Sequence, residues 1–336
     1  MPKEHHELRD QRQNLIGESP SFLGVLERVS QAAQLNRPVL VVGERGTGKE
    51  LIAERLHFLS PRWDQPLVRL NCAAISQALL ESELFGHEAG AFTDASRRRI
   101  GRFEQADGGT LFLDELSTTS PEIQEKVLRV IEYGEFERLG SSQTLQVDVR
   151  LIGATNEDLP SLAARGRFRA DLLDRLSFDV ITLPPLRERT EDILPLAEHF
   201  AIRMSRELGR ELFAGFTAAA ARALLEHAWP GNVRELKNVV ERAVYQIDDP
   251  ARPITRLVFD PFQSPWRPLS GDSGNSPQPD EDSLPEDLRA WLDRAERRIV
   301  ERALDECNGN RRKAARRLNL SYDQIRGILR KHGLGG

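Results

Sequence analysis

Cysteine is scarce in this chain. Only Cys72 and Cys307 occur in 336 residues, far apart and in no metal-ligand pattern. That excludes a disulfide framework and a thiolate-held metal cluster, and makes free thiols in a reducing cytoplasm the expectation. No apolar run is long enough to span a bilayer, and Met1 to Gln13 is too polar for a secretion signal. No internal repeat is present. Excess positive charge is missing too: 47 Lys and Arg stand against 52 Asp and Glu, a net charge of −5. The chain as a whole is therefore no generic polyanion binder. Its length suits about two or three domains.

What is present begins with Gly43-Glu44-Arg45-Gly46-Thr47-Gly48-Lys49-Glu50. A β-branched run, Val39 to Val42, precedes it, and Leu51 to Leu56 follows with helical spacing. Strand, glycine loop, lysine and helix form a phosphate-binding P-loop. The glycines let backbone N–H groups turn inward around an anion, and the helix N-terminus adds partial positive charge. Lys49 is placed for the terminal phosphates. Glu50 stands where Ser or Thr is usual, so a cation must sit beside it or its side chain must point away. Upstream, Ser19 is expected to cap a helix from Pro20 to Leu35, and Gly17 is a candidate for close approach of backbone to a base.

Two further strands end in polar groups. Leu67 to Leu70 leads to Asn71. Gly109 to Leu113 is a hydrophobic strand ending in Asp114 and Glu115, the arrangement in which the first acid holds Mg²⁺ and the second takes a proton from attacking water. A third, Val147 to Ala154, leads to Asn156, an amide placed to position water. Trp63, in a Pro/Asp/Gln-rich turn, reads either as a core plug or as an exposed contact.

The stretch Gly90-Ala91-Phe92-Thr93-Asp94-Ala95 is too glycine-rich for core and too apolar for an inert loop. It reads as a mobile loop presenting Phe92 and Thr93 to a partner, with a buried turn as the alternative. Arg169 and Arg175 lie six apart on an expected helix, hence on different faces. They suit either ordinary ion pairs with Asp171 or Asp174, or transition-state charge supplied to a neighbouring subunit. From Leu183 the chain becomes helical to about Tyr245. Arg234, just after Trp229-Pro230-Gly231-Asn232, is placed to reach a nucleotide held under this lid.

Residues 250–287 read as linker: Gly271 to Asp287 holds six acids and no base. The tail has the opposite charge. Arg311, Arg312, Lys313, Arg316, Arg317, Arg326, Arg330 and Lys331 face a single acid, Asp323. A lead-in helix from about Trp291 to Cys307 is followed by one carrying Ala314, Ala315 and Leu318. Ser321 and Gln324 then form a capping box for the last, with Ile325, Ile328 and Leu329 inward. This is a helix-turn-helix, with arginines for phosphates and Tyr322, Gln324 and Arg326 for base edges. A basic dimerisation cap is the alternative.

The P-loop, Glu-Leu-Phe-Gly-His-Glu-Ala-Gly-Ala-Phe-Thr, Gly-Gly-Thr-Leu-Phe-Leu-Asp-Glu, Phe-Arg-Ala-Asp-Leu-Leu-Asp-Arg-Leu, Leu-Pro-Pro-Leu-Arg-Glu-Arg and Trp-Pro-Gly-Asn-Val-Arg-Glu-Leu-Lys-Asn together resemble the AAA+ domain of bacterial sigma-54 activators, the enhancer-binding proteins, from about Asn14 to Tyr245. The tail resembles their Fis-type helix-turn-helix. The implied fold is an α/β AAA+ P-loop ATPase, a parallel sheet flanked by helices, with a helical lid and an all-α Fis-type tail. The expected division is a flexible 1–13, an α/β part 14–182, a lid 183–249, a linker 250–287 and a DNA-binding domain 288–336.

The resemblance implies ATP and Mg²⁺ bound by Gly43 to Glu50, with Lys49 on phosphate, Asp114 on Mg²⁺ and Glu115 as the water-polarising base. It implies Asn71 as a switch hydrogen-bonded to Glu115, Asn156 and Arg234 as sensors, and Arg169 and Arg175 as arginines acting across a ring, a hexamer, of identical chains. The 90–95 loop is the implied contact with sigma-54 and its RNA polymerase, and Arg311, Arg312, Lys313, Ser321, Tyr322, Gln324, Arg326 and Arg330 the contact with double-stranded enhancer DNA. With no receiver domain ahead of the ATPase, the chain resembles the phage-shock branch. That implies control by a separate inhibitor, PspA, with Trp63 as a contact. One position departs: Asp94 stands where the family has glycine. Aspartate tolerates the left-handed region but adds a negative charge at the loop tip. A regulator acting on DNA without sigma-54 is the alternative that this position favours.

Overall fold

The β-branched runs form a five-stranded parallel sheet in the computed structural model, which describes residues 15–92, 95, 97–247, 249–262, 292, 296–297, 299–304, 307 and 310–332. The expected flexible N-terminus, Thr93, Asp94 and most of the expected linker lie outside the described residues. Two compact units result, 1–261 and 262–336.

In the first unit, helix α1 (Pro20–Ala33) leads to β1 (Val39–Val42), α2 (Lys49–Phe58), β2 (Leu67–Asn71) and α3 (Gln77–Phe85). A small antiparallel hairpin of β3 (Gly86–His87) and β4 (Arg99–Ile100) carries the 88–98 loop, and α4 (Arg102–Gln105) follows. Next come β5 (Thr110–Asp114), α5 (Pro121–Tyr133), a second hairpin of β6 (Glu135–Glu137) and β7 (Thr144–Gln146), β8 (Arg150–Thr155), α6 (Leu159–Ala164), α7 (Ala170–Leu176) and β9 (Val180–Thr182). The lid comprises α8 (Ile193–Glu207), α9 (Ala218–Glu226) and α10 (Asn232–Tyr245).

The sheet order is β2-β5-β8-β1-β9, every pair parallel. Successive strand side chains face opposite sides. Leu40, Leu111, Leu113 and Leu151 pack with α3, α5 and α7 on one face. Val39, Val41, Phe112, Ile152 and Ala154 pack with α1 and α2 on the other. Both faces are thus buried, which is why the strands read as continuous apolar runs. Each fully buried leucine contributes about 1.5–3 kcal/mol of transfer free energy.

Local signals set the helix ends. The Ser19 hydroxyl accepts from Phe22 N, and Pro20 occupies the first helical position of α1. The C-terminus of α1 has no basic residue of its own. Arg150, buried on β8, donates instead to the carbonyls of Ala32 and Ala33, and burial brings its pKa down to about 10. The lid has its own core around Trp229, whose indole N–H donates to Leu224 O at 2.9 Å.

In the second unit, α11 (Arg311–Arg317) and α12 (Tyr322–Lys331) pack Ala314, Ala315, Ile325 and Leu329 against Val300 and Ala303 of the helical residues 299–304. The Ser321/Gln324 capping box is formed in both directions, at 2.8 and 3.2 Å. Asn319, at φ +55°, makes the turn between the helices. Among the described residues no helix is long and apolar enough to cross a membrane.

Candidate functional site

Because every strand of the sheet runs the same way, Val42, Asn71, Asp114 and Thr155 end at one edge. In an open parallel sheet that edge is where ligands bind. A cavity of about 380 Å³ opens there, lined by P-loop residues Arg45 to Glu50, by Asp114 at the end of β5 and Glu115 just after it, and by Arg234 from the lid.

The P-loop follows β1 and feeds α2. Gly46 and Gly48 have φ of +79° and +102°, a region a side chain disfavours. Lys49 Nζ donates to the Gly43 and Glu44 carbonyls at 2.9 and 3.3 Å. Burial lowers the Lys49 pKa, and Glu115 and Asp114 oppose that shift, so the ammonium is held beside the two acids. Glu50 has the cation that its position demands: Arg69 from β2 lies 3.3 Å away and also pairs with Glu54 at 2.6 Å.

Asp114 accepts from Asn71 Nδ2 at 3.1 Å and from the Glu115 backbone N–H at 3.0 Å. The expected bond from Asn71 to Glu115 is not the one formed. Asn71 and Asp114 are register partners on adjacent strands, whereas Glu115 leaves the strand in the left-handed region, φ 52°. Its carboxylate instead lies 4.0 Å from Arg45 Nε. A non-glycine residue held there is strained, as residues at reactive sites often are. Cys72 beside these acids is buried, and burial, with the two negative charges, pushes its thiol up to about 12.

A nucleotide phosphate chain fits these groups: inward-turned loop, lysine and helix N-terminus together. Among the described residues no cluster of three or more His, Cys, Asp or Glu could hold a metal with protein groups alone. Asp114 fits Mg²⁺ in the way that ion is usually held, by one or two carboxylates together with phosphate oxygens.

Other expected residues fall elsewhere. Gly17 makes a close approach, but to protein: a Cβ there would lie 2.5 Å from the Phe22 ring and 2.8 Å from Asp192. Asn156 directly follows β8 without lining the cavity, and Gly43 and Glu44 are not part of its lining either. Glu44 turns to the lid, where hydrogen bonds from Arg187 and then Asn232 bring its pKa down to about 2.

Arg169 and Arg175 do not reach this cavity. Arg169 pairs with Asp171 and with Glu125, and Arg175 with Glu132. Glu125 and Glu132 lie two turns apart on α5, so both arginines meet one neighbouring helix rather than opposite surroundings. Helical spacing misleads here because Arg169 is the extended residue before the seven-residue α7, not part of it.

In the hairpin loop, Gly90 N–H donates to Ala95 O, and Ala95 N–H to Phe92 O. Ala91 packs under Gly140, and Ala95 is buried. Phe92 is 40% exposed, its ring edge-on to His87 at 4.9 Å. Trp63 is exposed, not a core plug. On the tail, Arg311, Arg312, Lys313, Arg326 and Arg330 are all exposed, and the Arg312 guanidinium lies 5.7 Å from the Tyr322 ring. The Gln324 carbonyl is occupied by the capping box.

Four groups around the cavity escaped the sequence reading. Arg189, 2% exposed, lies over the Phe22 ring at 4.7 Å in the cavity wall. Asp192, fully buried, accepts from Glu18 N–H, Ser19 N–H and the Ser19 hydroxyl, tying the segment before α1 to the lid. Arg187 and Asn232 hold Glu44. All four lie within, or just beyond, the two lid motifs; their presence there was the available signal.

Residues 15–182 match the family model of the sigma-54 interaction domain, 187–258 that of the AAA+ ATPase lid domain, and 292–332 that of Fis-family bacterial regulatory proteins. The chain is 55% identical to the Psp operon transcriptional activator of Escherichia coli (strain K12), over 97% of this chain and 99% of that one. It is 49% identical to the Nif-specific regulatory protein of Azotobacter vinelandii, over 93% of this chain and 57% of that one. The crystal structure of NtrX from Brucella abortus in complex with ATP superposes with a TM-score of 0.70 at 32% identity, covering 98% of this chain and 72% of that one.

Proposed function

The chain belongs to the sigma-54 activator family of AAA+ ATPases, and from that premise we propose that it hydrolyses ATP in an oligomeric ring to remodel the closed sigma-54–RNA polymerase complex into an open one at phage-shock-type promoters. The observation that carries the reading is the convergence of Lys49, Asp114, Glu115 and Arg234 on one cavity at the sheet edge.

The P-loop amides and Lys49 hold the phosphates. Asp114, together with the phosphate oxygens, would hold Mg²⁺, which would supply positive charge against the oxygens during transfer. Glu115 accepts the proton of the attacking water, and Asn156 orients that water. Asn71, bonded to Asp114, links this edge to β2. Arg234 reaches the nucleotide from the lid. Arg169, half-buried, and Arg175, exposed, both outside the chain's own cavity, act on the nucleotide of a neighbour in a ring, a hexamer. Hydrolysis moves the 90–95 loop, whose Phe92 and Thr93 engage sigma-54. The tail binds double-stranded enhancer DNA through Arg311, Arg312, Lys313, Arg326 and Arg330, with base edges read by Tyr322, Gln324 and Arg326 from the helix that Ser321 caps. A PspA-type inhibitor docks at the exposed Trp63.

In vitro transcription from a sigma-54 promoter tests this. Open complexes are expected with ATP and not with a non-hydrolysable analogue. ATP-independent activation, or activation of promoters lacking sigma-54, would instead favour the reading that Asp94 suggests, a DNA-bound regulator uncoupled from sigma-54.

A further inference from the structure

We propose that Asn232, together with Glu44 and Arg187, is a latch that joins the lid to the P-loop and thereby positions the phosphate loop and Arg234 for nucleotide; this rests on reading the cavity as the nucleotide site.

Asn232 is fully buried and held at φ +52°. Asparagine tolerates that region better than most residues, yet such a conformation persists only where the surroundings over-determine it. Here they do. The Asn232 Oδ1 accepts the Leu186 N–H at 2.8 Å. Its Nδ2 donates to Glu44 Oε2 and to Arg45 O, both at 3.0 Å. The amide can face only one way, since an N–H donor meets its oxygen and two acceptors meet its nitrogen. Arg187, next to Leu186, clasps the same Glu44 carboxylate with both Nη atoms, at 2.9 and 2.6 Å.

The neighbouring backbone completes the joint. Val233 N–H donates to Gly46 O at 3.0 Å. A Cβ at Gly46 would lie 2.3 Å from Gly231 O and 3.1 Å from the Arg234 Cβ, so lid and loop touch backbone to backbone. Residues 44 to 46 are therefore gripped by Leu186-Arg187 through the shared Glu44 and by 231–233 directly. The left-handed turn at Asn232 also sets where α10 begins, and hence where Arg234, two residues on, emerges over the cavity. None of the three latch side chains lines the cavity. They act through the loop and Arg234, as positioning residues.

The test is equilibrium binding of a fluorescent ATP analogue to the full chain, with thermal unfolding as the control for folding. Asn232→Ala strands the Leu186 N–H and the Arg45 carbonyl and should weaken binding by roughly 10- to 100-fold. Arg187→Ala removes only the exposed pair and should cost about 2- to 5-fold. Combining Asn232→Ala with Glu44→Ala should weaken binding by less than the product of the single effects, since both cut one network. Asn232→Asp sets two carboxylates face to face. Adding Glu44→Gln restores a donor across that gap and should recover part of the loss, a rescue that a general packing defect would not show.

Wild-type affinity in a folded Asn232→Ala chain overturns the latch while leaving the nucleotide site standing. Failure of the wild-type chain to bind the analogue overturns both. Should Asn232→Ala not fold, Arg187→Ala decides, and unchanged affinity in that variant overturns the proposal.

Discussion

Replacing Glu115 with glutamine isolates one atom's chemistry. The side chain keeps its length, so the strain of a non-glycine residue at φ 52° is common to both proteins and cancels. The amide cannot take a proton from water. Among the described residues, the ion pair lost is that with Arg45, at 4.0 Å, whose side chain is 75% exposed. An exposed pair of that kind contributes about 0–1 kcal/mol, less than tenfold in any constant. A general base contributes on the order of 10²–10⁴-fold, or about 3–5 kcal/mol of barrier. Phosphate release at saturating ATP should therefore fall by at least 100-fold, with affinity for the nucleotide within a few-fold of wild type. Steady-state release paired with binding of a fluorescent analogue measures both. Turnover within fivefold of wild type, with binding intact, would refute the base role.

Arg169→Ala should lose ATPase activity yet regain part of it when mixed with a Lys49→Ala variant, because a shared active site needs one intact half from each; no complementation at any ratio would remove the trans role. Asp94→Gly should leave ATPase activity unchanged and strengthen binding to sigma-54, read by co-migration on a native gel; equal binding would mark the position as neutral. Burial holds the His57 pKa below its ordinary value of 6.5, with Thr110 Oγ1 2.9 Å from Nδ1. The unfolded chain therefore binds more protons as pH falls below 6.5, and folded stability should decline there. Thermal unfolding between about pH 7 and 5 should show a shallower decline in His57→Gln, and an identical slope would exclude this histidine as the source.

Much of the site was legible because its chemistry is local. A glycine loop between a β-branched strand and a helix announces a phosphate cradle in one stretch of chain. Strand-end acids after Leu111-Phe112-Leu113 and the Ser321/Gln324 capping box are equally local, and each forms as expected. The reading failed where contacts cross the chain. The family resemblance pairs Asn71 with Glu115, but strand register delivers it to Asp114, 43 residues away. Periodicity separates Arg169 from Arg175, but α7 begins at Ala170, so Arg169 is the extended residue before it and only Arg175 lies on the helix.

Residue order alone therefore established that a P-loop, two acids and a basic helix-turn-helix share this chain, since each is written in neighbours a few positions apart. Which carboxylate meets which amide, and how the lid grips the loop, depended on pairing strands and helices more than forty residues distant. No spacing rule encodes that. Asn232 and Glu44 are 188 positions apart and meet only because the folded lid brings them within 3.0 Å.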